Sequence, residues 1–183
     1  MTSFAELLSI GDLRSDGLAN EVAAIVLNNP GLLPELIDAF RSSKPSIRGH
    51  AADALEKVAR HHPKGIVPFL PFVIREAQHD EIPMVRWHLA MILGHVSSVP
   101  ATIPKTRRAL LTLLHDPSPF VRSWAITALA IIAQRNPRSA ASSARAIAPL
   151  TSDSSVAVAK RARTALRALA DPRFRLPASW IKK

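Results

Sequence analysis

The chain has 183 residues, of which 48% are apolar; that is enough for one compact domain, or one short array of repeats, with a substantial core. It has no cysteine, which excludes disulfides and thiolate chemistry, and no apolar run of the roughly eighteen residues that a bilayer span needs. The formal charge of +10 is lopsided: residues 1–100 carry 9 Lys/Arg against 11 Asp/Glu, a net of −2, and residues 101–183 carry 15 against 3, a net of +12. Halves of opposite character point either to an anionic partner for the second half or to a solvated basic surface. The opening stretch MTSFAELLSIGDLRSD has neither a basic n-region nor a long apolar h-region, so no secretory signal is expected and a cytoplasmic setting follows by default.

In chain order, Ser3–Ile10 and Leu18–Asn28 read as a divergent helical pair, an N-terminal cap over residues 1–30. Pairs then recur over 31–63, 64–99, 100–136 and 137–170, and a basic tail covers 171–183. The first helices of these pairs are Gly31–Ser42, Gly65–Gln78, Thr102–His115 and Arg138–Thr151. Three of them carry a proline near the start (Pro34, Pro68 and Pro104), where its missing N–H has no partner to lose. The second helices are IRGHAADALEKVA from Ile47, VRWHLAMILGHVS from Val85, VRSWAITALAIIA from Val121 and VAKRARTALRALA from Val158. Their starts, at 47, 85, 121 and 158, lie 38, 36 and 37 residues apart.

Laid over one another, these four segments put apolar residues in register. The columns are Ile47, Val85, Val121 and Val158; Ala51, Leu89, Ala125 and Ala162; Ala54, Ile92, Ala128 and Ala165; and Val58, Val96, Ile132 and Leu169. A period in the high thirties built from two helices, with no strand pattern, predicts an all-α fold: a right-handed α-α superhelix, or α-solenoid, of about four to five helical pairs. The segments resemble the HEAT repeat family in the Val-Arg-type openings Ile47-Arg48, Val85-Arg86 and Val121-Arg122 and in the turn aspartates Asp80 and Asp116. The first full unit has Ser42 where the turn aspartate belongs, and the last has Asp153 but Ala159 in place of the arginine.

Arg48, Arg86 and Arg122 with Asp80 and Asp116 are expected to form a structural ladder, because a planar guanidinium fork satisfies turn carbonyls and carboxylates together. The resemblance also implies that the second helices line a concave face. Three residues after each column start stand His50, His88, Trp124 and Arg161, and Trp87, Met91, His95, Thr127 and Ile131 fall beside them. Tryptophan, methionine and arginine are residue types that anchor protein interfaces, so these nine positions form the candidate partner-binding groove. For Trp87 and Trp124, packing between helices is an equal alternative. A second candidate is anion or nucleic-acid contact through Arg135, Lys160, Arg161, Arg163, Arg167, Arg173 and Arg175, although no recognition helix or aromatic strand platform accompanies them. The tail RFRLPASWIKK either folds back through Phe174, Leu176, Trp180 and Ile181 or engages a partner.

No catalytic constellation emerges. Carboxylates are scarce between Asp53 and Asp116 and form no paired set with His and Ser, and there is no Gly-rich phosphate loop or HExxH. Six of the seven histidines fall between His50 and His95, but without cysteine or a convergent carboxylate set no metal or cofactor is expected. The HEAT-like alkylpurine DNA glycosylases place an aspartate near their tryptophans; here Met91 and Ala128 stand one turn after Trp87 and Trp124. The expectation is a non-catalytic HEAT-repeat scaffold binding a protein, with no membrane and no small-molecule substrate. The alternative is a nucleic-acid-binding solenoid of glycosylase-like architecture, without its catalytic residues, using the basic half.

Overall fold

Prolines place the starts of the helices. In the computed structural model, which describes residues 2–171 and 173–180, α4 (Pro45–His61), α7 (Pro83–Val96) and α9 (Pro119–Arg135) each open on a proline at the first position. The residue before each (Lys44, Ile82 and Ser118) is extended, as the proline ring demands of its predecessor. The fourth helix of this kind, α11 (Val156–Ala170), starts without a proline.

Ahead of these lie α1 (Phe4–Leu7), held by a Ser3/Glu6 capping box, and α2 (Ala19–Asn28). The first helices of the pairs are less regular than expected. Each is an α segment flanked by 3-10 turns: α3 (Leu33–Asp38), α5 (Pro63–Ile66) with α6 (Leu70–His79), α8 (Ile103–Leu113) and α10 (Ala140–Ile147). The cause is again proline. Pro30, Pro100 and Pro137 each begin a 3-10 turn, and Pro34, Pro71 and Pro104 then sit in the first turn of the following α segment.

The second helices stack in order, α2 on α4, α4 on α7, α7 on α9 and α9 on α11, while α3, α6, α8 and α10 form the other layer. The apolar columns fill the space between. Ala51, Leu89, Ala125 and Ala162 are fully buried, as are Leu55, Leu93 and Leu129. Leu166 and Leu169 of the last unit are only half-buried, because no further pair covers them. Small residues bring neighbours close: a Cβ built on Gly94 of α7 would lie 3.1 Å from Cβ of Ala128 of α9. The chain is therefore an all-α solenoid in which each pair touches mainly the next.

A ladder of arginines locks successive units. The Arg48 guanidinium donates to Asp80 (2.9 Å), to the exposed Glu81 (2.7 Å) and to the Ser42 carbonyl. Arg86 makes a two-pronged pair with Asp116 (2.7 and 3.0 Å) and donates to the Asp80 carbonyl. Arg122 repeats the geometry with Asp153 (2.8 and 2.8 Å) and the Asp116 carbonyl. Each aspartate in turn accepts a backbone N–H two residues on, at Ile82, Ser118 and Ser155, and so shapes its own turn. An arginine thus takes the carbonyl of its own turn and the carboxylate of the following one. Asp153, outside the expected set, is the third acidic rung.

Candidate functional site

The layer of second helices, α4, α7, α9 and α11, divides into two parts. In the part built from α4 and α7, the expected groove is closed. His50 is 0% exposed, its Nδ1 lying 2.8 Å from the Leu8 carbonyl and its Nε2 3.0 Å from those of Asp12 and Ser15. The segment between α1 and α2 lies over this histidine, turning at Gly11 and Gly17, both with positive φ. At Gly17 an added Cβ would strike the Ile10 carbonyl oxygen, so only glycine lets the segment lie this close. The placement of His50 on an open face is therefore corrected: loop carbonyls cover it.

His88 and Met91 are also buried rather than presented, and so is Thr127 of α9. His88 donates from Nδ1 to the Met84 carbonyl (2.9 Å), accepts the Trp87 indole N–H at Nε2 (3.3 Å) and lies 3.5 Å from Asp53. Beside it, Glu56 is 0% exposed and lies between Arg60, one turn along α4, and His95 Nε2, 2.9 Å away on α7. Burial alone would raise the Glu56 pKa, but hydrogen bonds from His95 and Arg60 outweigh it and lower it to about 2. Asp53 pairs with Lys57 in the same way. Neither carboxylate–histidine pair has a recognisable spacing in the sequence, and no serine joins either one. Asp53 and Glu56 are three apart on α4, and they meet His88 and His95, seven apart on α7, so only the stacking of two helices reveals the pairs.

In the part built from α9 and α11 the face is open and aromatic. Trp124 is half-buried, and the Arg161 guanidinium lies 4.9 Å from its ring centroid. The same guanidinium also lies over a second indole, Trp180, at 4.9 Å from its ring centroid. Arg161 Nη1 donates to Thr127 Oγ1 at 2.8 Å, and burial lowers the arginine's pKa. Met91, Gly94, His95, Trp124, Thr127 and Ile131 surround a small apolar pocket that Trp180 walls on one side. Near the N-termini of α7 and α9, Trp87 packs against Phe120, centroids 5.1 Å apart, and Phe120 is 61% exposed.

Several cations expected to meet an anion are engaged within the chain. Arg135 caps the end of α7 through the Gly94 carbonyl and Ser97 Oγ, both at 3.0 Å, and burial of its head group lowers its pKa. Arg167 lies over Phe174 at 4.5 Å, Arg173 pairs with Asp171, and Arg163 donates to the Thr151 carbonyl. Lys160 and Arg175 are exposed. The tail packs back through Leu176 and Trp180, both buried, and through half-buried Phe174, while Ile181 lies outside the described residues. Among the described residues no group of three or more His, Asp or Glu side chains is placed to hold a metal ion, and no helix is long and apolar enough to cross a membrane.

Comparison with known proteins agrees with this geometry. The family described as HEAT repeats matches residues 70–170, which is 101 of the 183 residues. No curated protein matches the chain in sequence. Among solved structures, a computationally designed armadillo repeat protein for modular peptide recognition is similar with a TM-score of 0.66 at 19% identity, over 90% of this chain and 81% of that one. An engineered protein is similar with a TM-score of 0.65 at 19% identity, over 91% of this chain and 78% of that one. At such identity the likeness concerns the fold.

Proposed function

The chain belongs to the HEAT-repeat family, and on that premise we propose that it is a non-catalytic scaffold whose concave face holds a protein partner. The observation that carries this reading is the apolar pocket on α7 and α9, ringed by half-buried Trp124, His95 and Ile131 with Arg161 at its edge. Aromatic and arginine side chains set in a partly desolvated hollow are the usual anchors of an interface. The designed armadillo neighbour, made for peptide recognition, uses a comparable stack of helices and supports a peptide-like segment as the bound form. A general acid or base is not the better use of the buried carboxylates. Glu56 is held ionised by hydrogen bonds from His95 and Arg60 and sealed from solvent, which suits a counter-ion and not a proton shuttle.

The test is to pan a peptide library on the wild-type chain and on Trp124→Ala. Sequences enriched on the wild type, lost on Trp124→Ala and retained at moderate salt support the scaffold. Equal enrichment on both chains removes the concave face from the proposal. The second reading, nucleic-acid binding, rests on the exposed cations Lys105, Arg108, Arg138, Arg145 and Lys160. Anisotropy of a labelled duplex and a labelled single strand over a salt series decides it. Sub-micromolar binding that falls steeply with salt favours nucleic acid, and no binding at low salt excludes it.

A further inference from the structure

Trp180 reaches the concave face from outside the repeat. It belongs to a 3-10 turn, Ala178–Trp180, in a segment that follows the last helix, yet it is only 8% exposed and forms one wall of the pocket on α7 and α9. Leu176, four residues earlier, is buried as well. A short stretch of chain with two buried apolar side chains, laid across stacked helices, is the geometry of a bound peptide. The chain itself therefore displays what this hollow accepts: an aromatic ring beside the Arg161 guanidinium, in the pocket that Trp124 also lines.

The fit of this segment is incomplete in one respect. Arg161 spends one donor on Thr127, and among the described residues no carboxylate pairs with it. The nearest acids across the layer are already committed, Glu56 to His95 and Arg60, and Asp53 to Lys57. A guanidinium takes a carboxylate in a two-pronged, charge-assisted pair, and a stacked, partly desolvated one gains more from it than an exposed one does. No side chain of the segment that delivers Trp180 supplies that charge. From Arg173 to Lys183 it contains two arginines and two lysines and no acidic side chain. Its ring matches the site and its charge opposes it.

Building on the scaffold reading above, we propose that the Trp124–Arg161 platform receives an aromatic side chain flanked by carboxylates from a partner protein, and that Trp180 occupies the platform until such a segment displaces it. Electrostatic complementarity governs the choice of partner, since the half of the chain that bears the platform carries a net charge of +12.

The experiment uses the full chain and three labelled peptides: the sequence of residues 173–183, the same sequence with glutamate at its four basic positions, and that acidic peptide with alanine in place of tryptophan. The acidic tryptophan peptide is expected to bind at least about ten-fold tighter than either of the others. Trp180→Ala in the protein should tighten its binding further by removing the internal competitor, and Arg161→Gln should weaken it by about ten-fold or more. Trp180→Leu keeps that site apolar without a stacking ring and gives the same gain in affinity should the alanine variant fail to fold. Equal binding of the acidic peptide with and without its tryptophan reduces the effect to bulk charge and overturns the proposal. So does binding unchanged by Arg161→Gln, or a protein that passes from dimer to monomer on Trp180→Ala, which makes the segment a self-association device. If library peptides are lost on Trp124→Ala but bind unchanged on Arg161→Gln, the scaffold reading stands and this inference alone falls.

Discussion

The two ends of the second-helix layer treat the same positions of the repeat in opposite ways. On α4 and α7 the buried carboxylates have nearby partners: Glu56 with Arg60 and the His95 ring, Asp53 with Lys57 and the His88 ring. On α11, Arg161 meets two aromatic rings and a hydroxyl. The first region is electrically complete and covered by a loop, and its polar groups hold helices together. The second leaves a desolvated cation whose charge is unanswered among the described residues. A polar residue on a solenoid's inner face is thus no guide to binding until its partners are counted.

The sharpest way to break this contrast is Glu56→Ala, which leaves half-buried His95 and Arg60 beside an empty place. It should cost about 3–5 kcal/mol in urea denaturation, because an uncompensated buried charge is worse than none. Acid makes the same point without mutation. The Glu56 carboxyl has its pKa lowered to about 2 in the folded chain, below the unfolded value near 4.3, so its stabilisation is complete above about pH 5 and drains away as pH falls toward 2. Wild type minus Glu56→Gln should shrink by roughly 2–3 kcal/mol over that window, read by thermal melts at each pH.

Arg86→Lys tests the ladder instead of the face. A point charge cannot reproduce the two-pronged bond to Asp116 together with the Asp80 carbonyl, and a loss of about 2 kcal/mol is expected. Gly17→Ala acts on the cover over His50, costing about 1 kcal/mol and speeding amide exchange at residues 8–16 before the rest of the chain. The smallest effect on stability belongs to Arg161→Gln, within about 1 kcal/mol, since loss of the stacked charge also relieves its desolvation. A large loss there would place Arg161 with the structural residues and erase the distinction between the two ends.

The architecture was legible in the sequence because four registers of Val, Ala and Leu repeat in phase, and one buried stripe per helix is a one-dimensional signal. The candidate site was legible only as a column. His50, His88, Trp124 and Arg161 are a single column in the alignment, yet His50 is sealed by carbonyls from a segment some forty residues earlier, and Arg161 is stacked by an indole from outside the repeat. Periodicity carries no information about such non-repeating pieces. Glu56 was passed over for a related reason: its two cations come from one turn along α4 and from the next unit, and neither spacing is a familiar motif.

The arginine ladder has a direction, and direction imposes a polarity on growth. Arg48, Arg86 and Arg122 each reach forward to the acid of the next turn, whereas the equivalent place in the last unit holds Ala159, which is buried and has nothing to offer. A unit spliced in ahead of α4 needs only a forward-reaching arginine of its own to be joined, if it ends against a turn acid placed where Ser42 now stands. One appended beyond α11 would find no clasp waiting unless Ala159 were first changed to arginine. Lengthening this array by protein engineering is, for that reason, a different problem at its two ends.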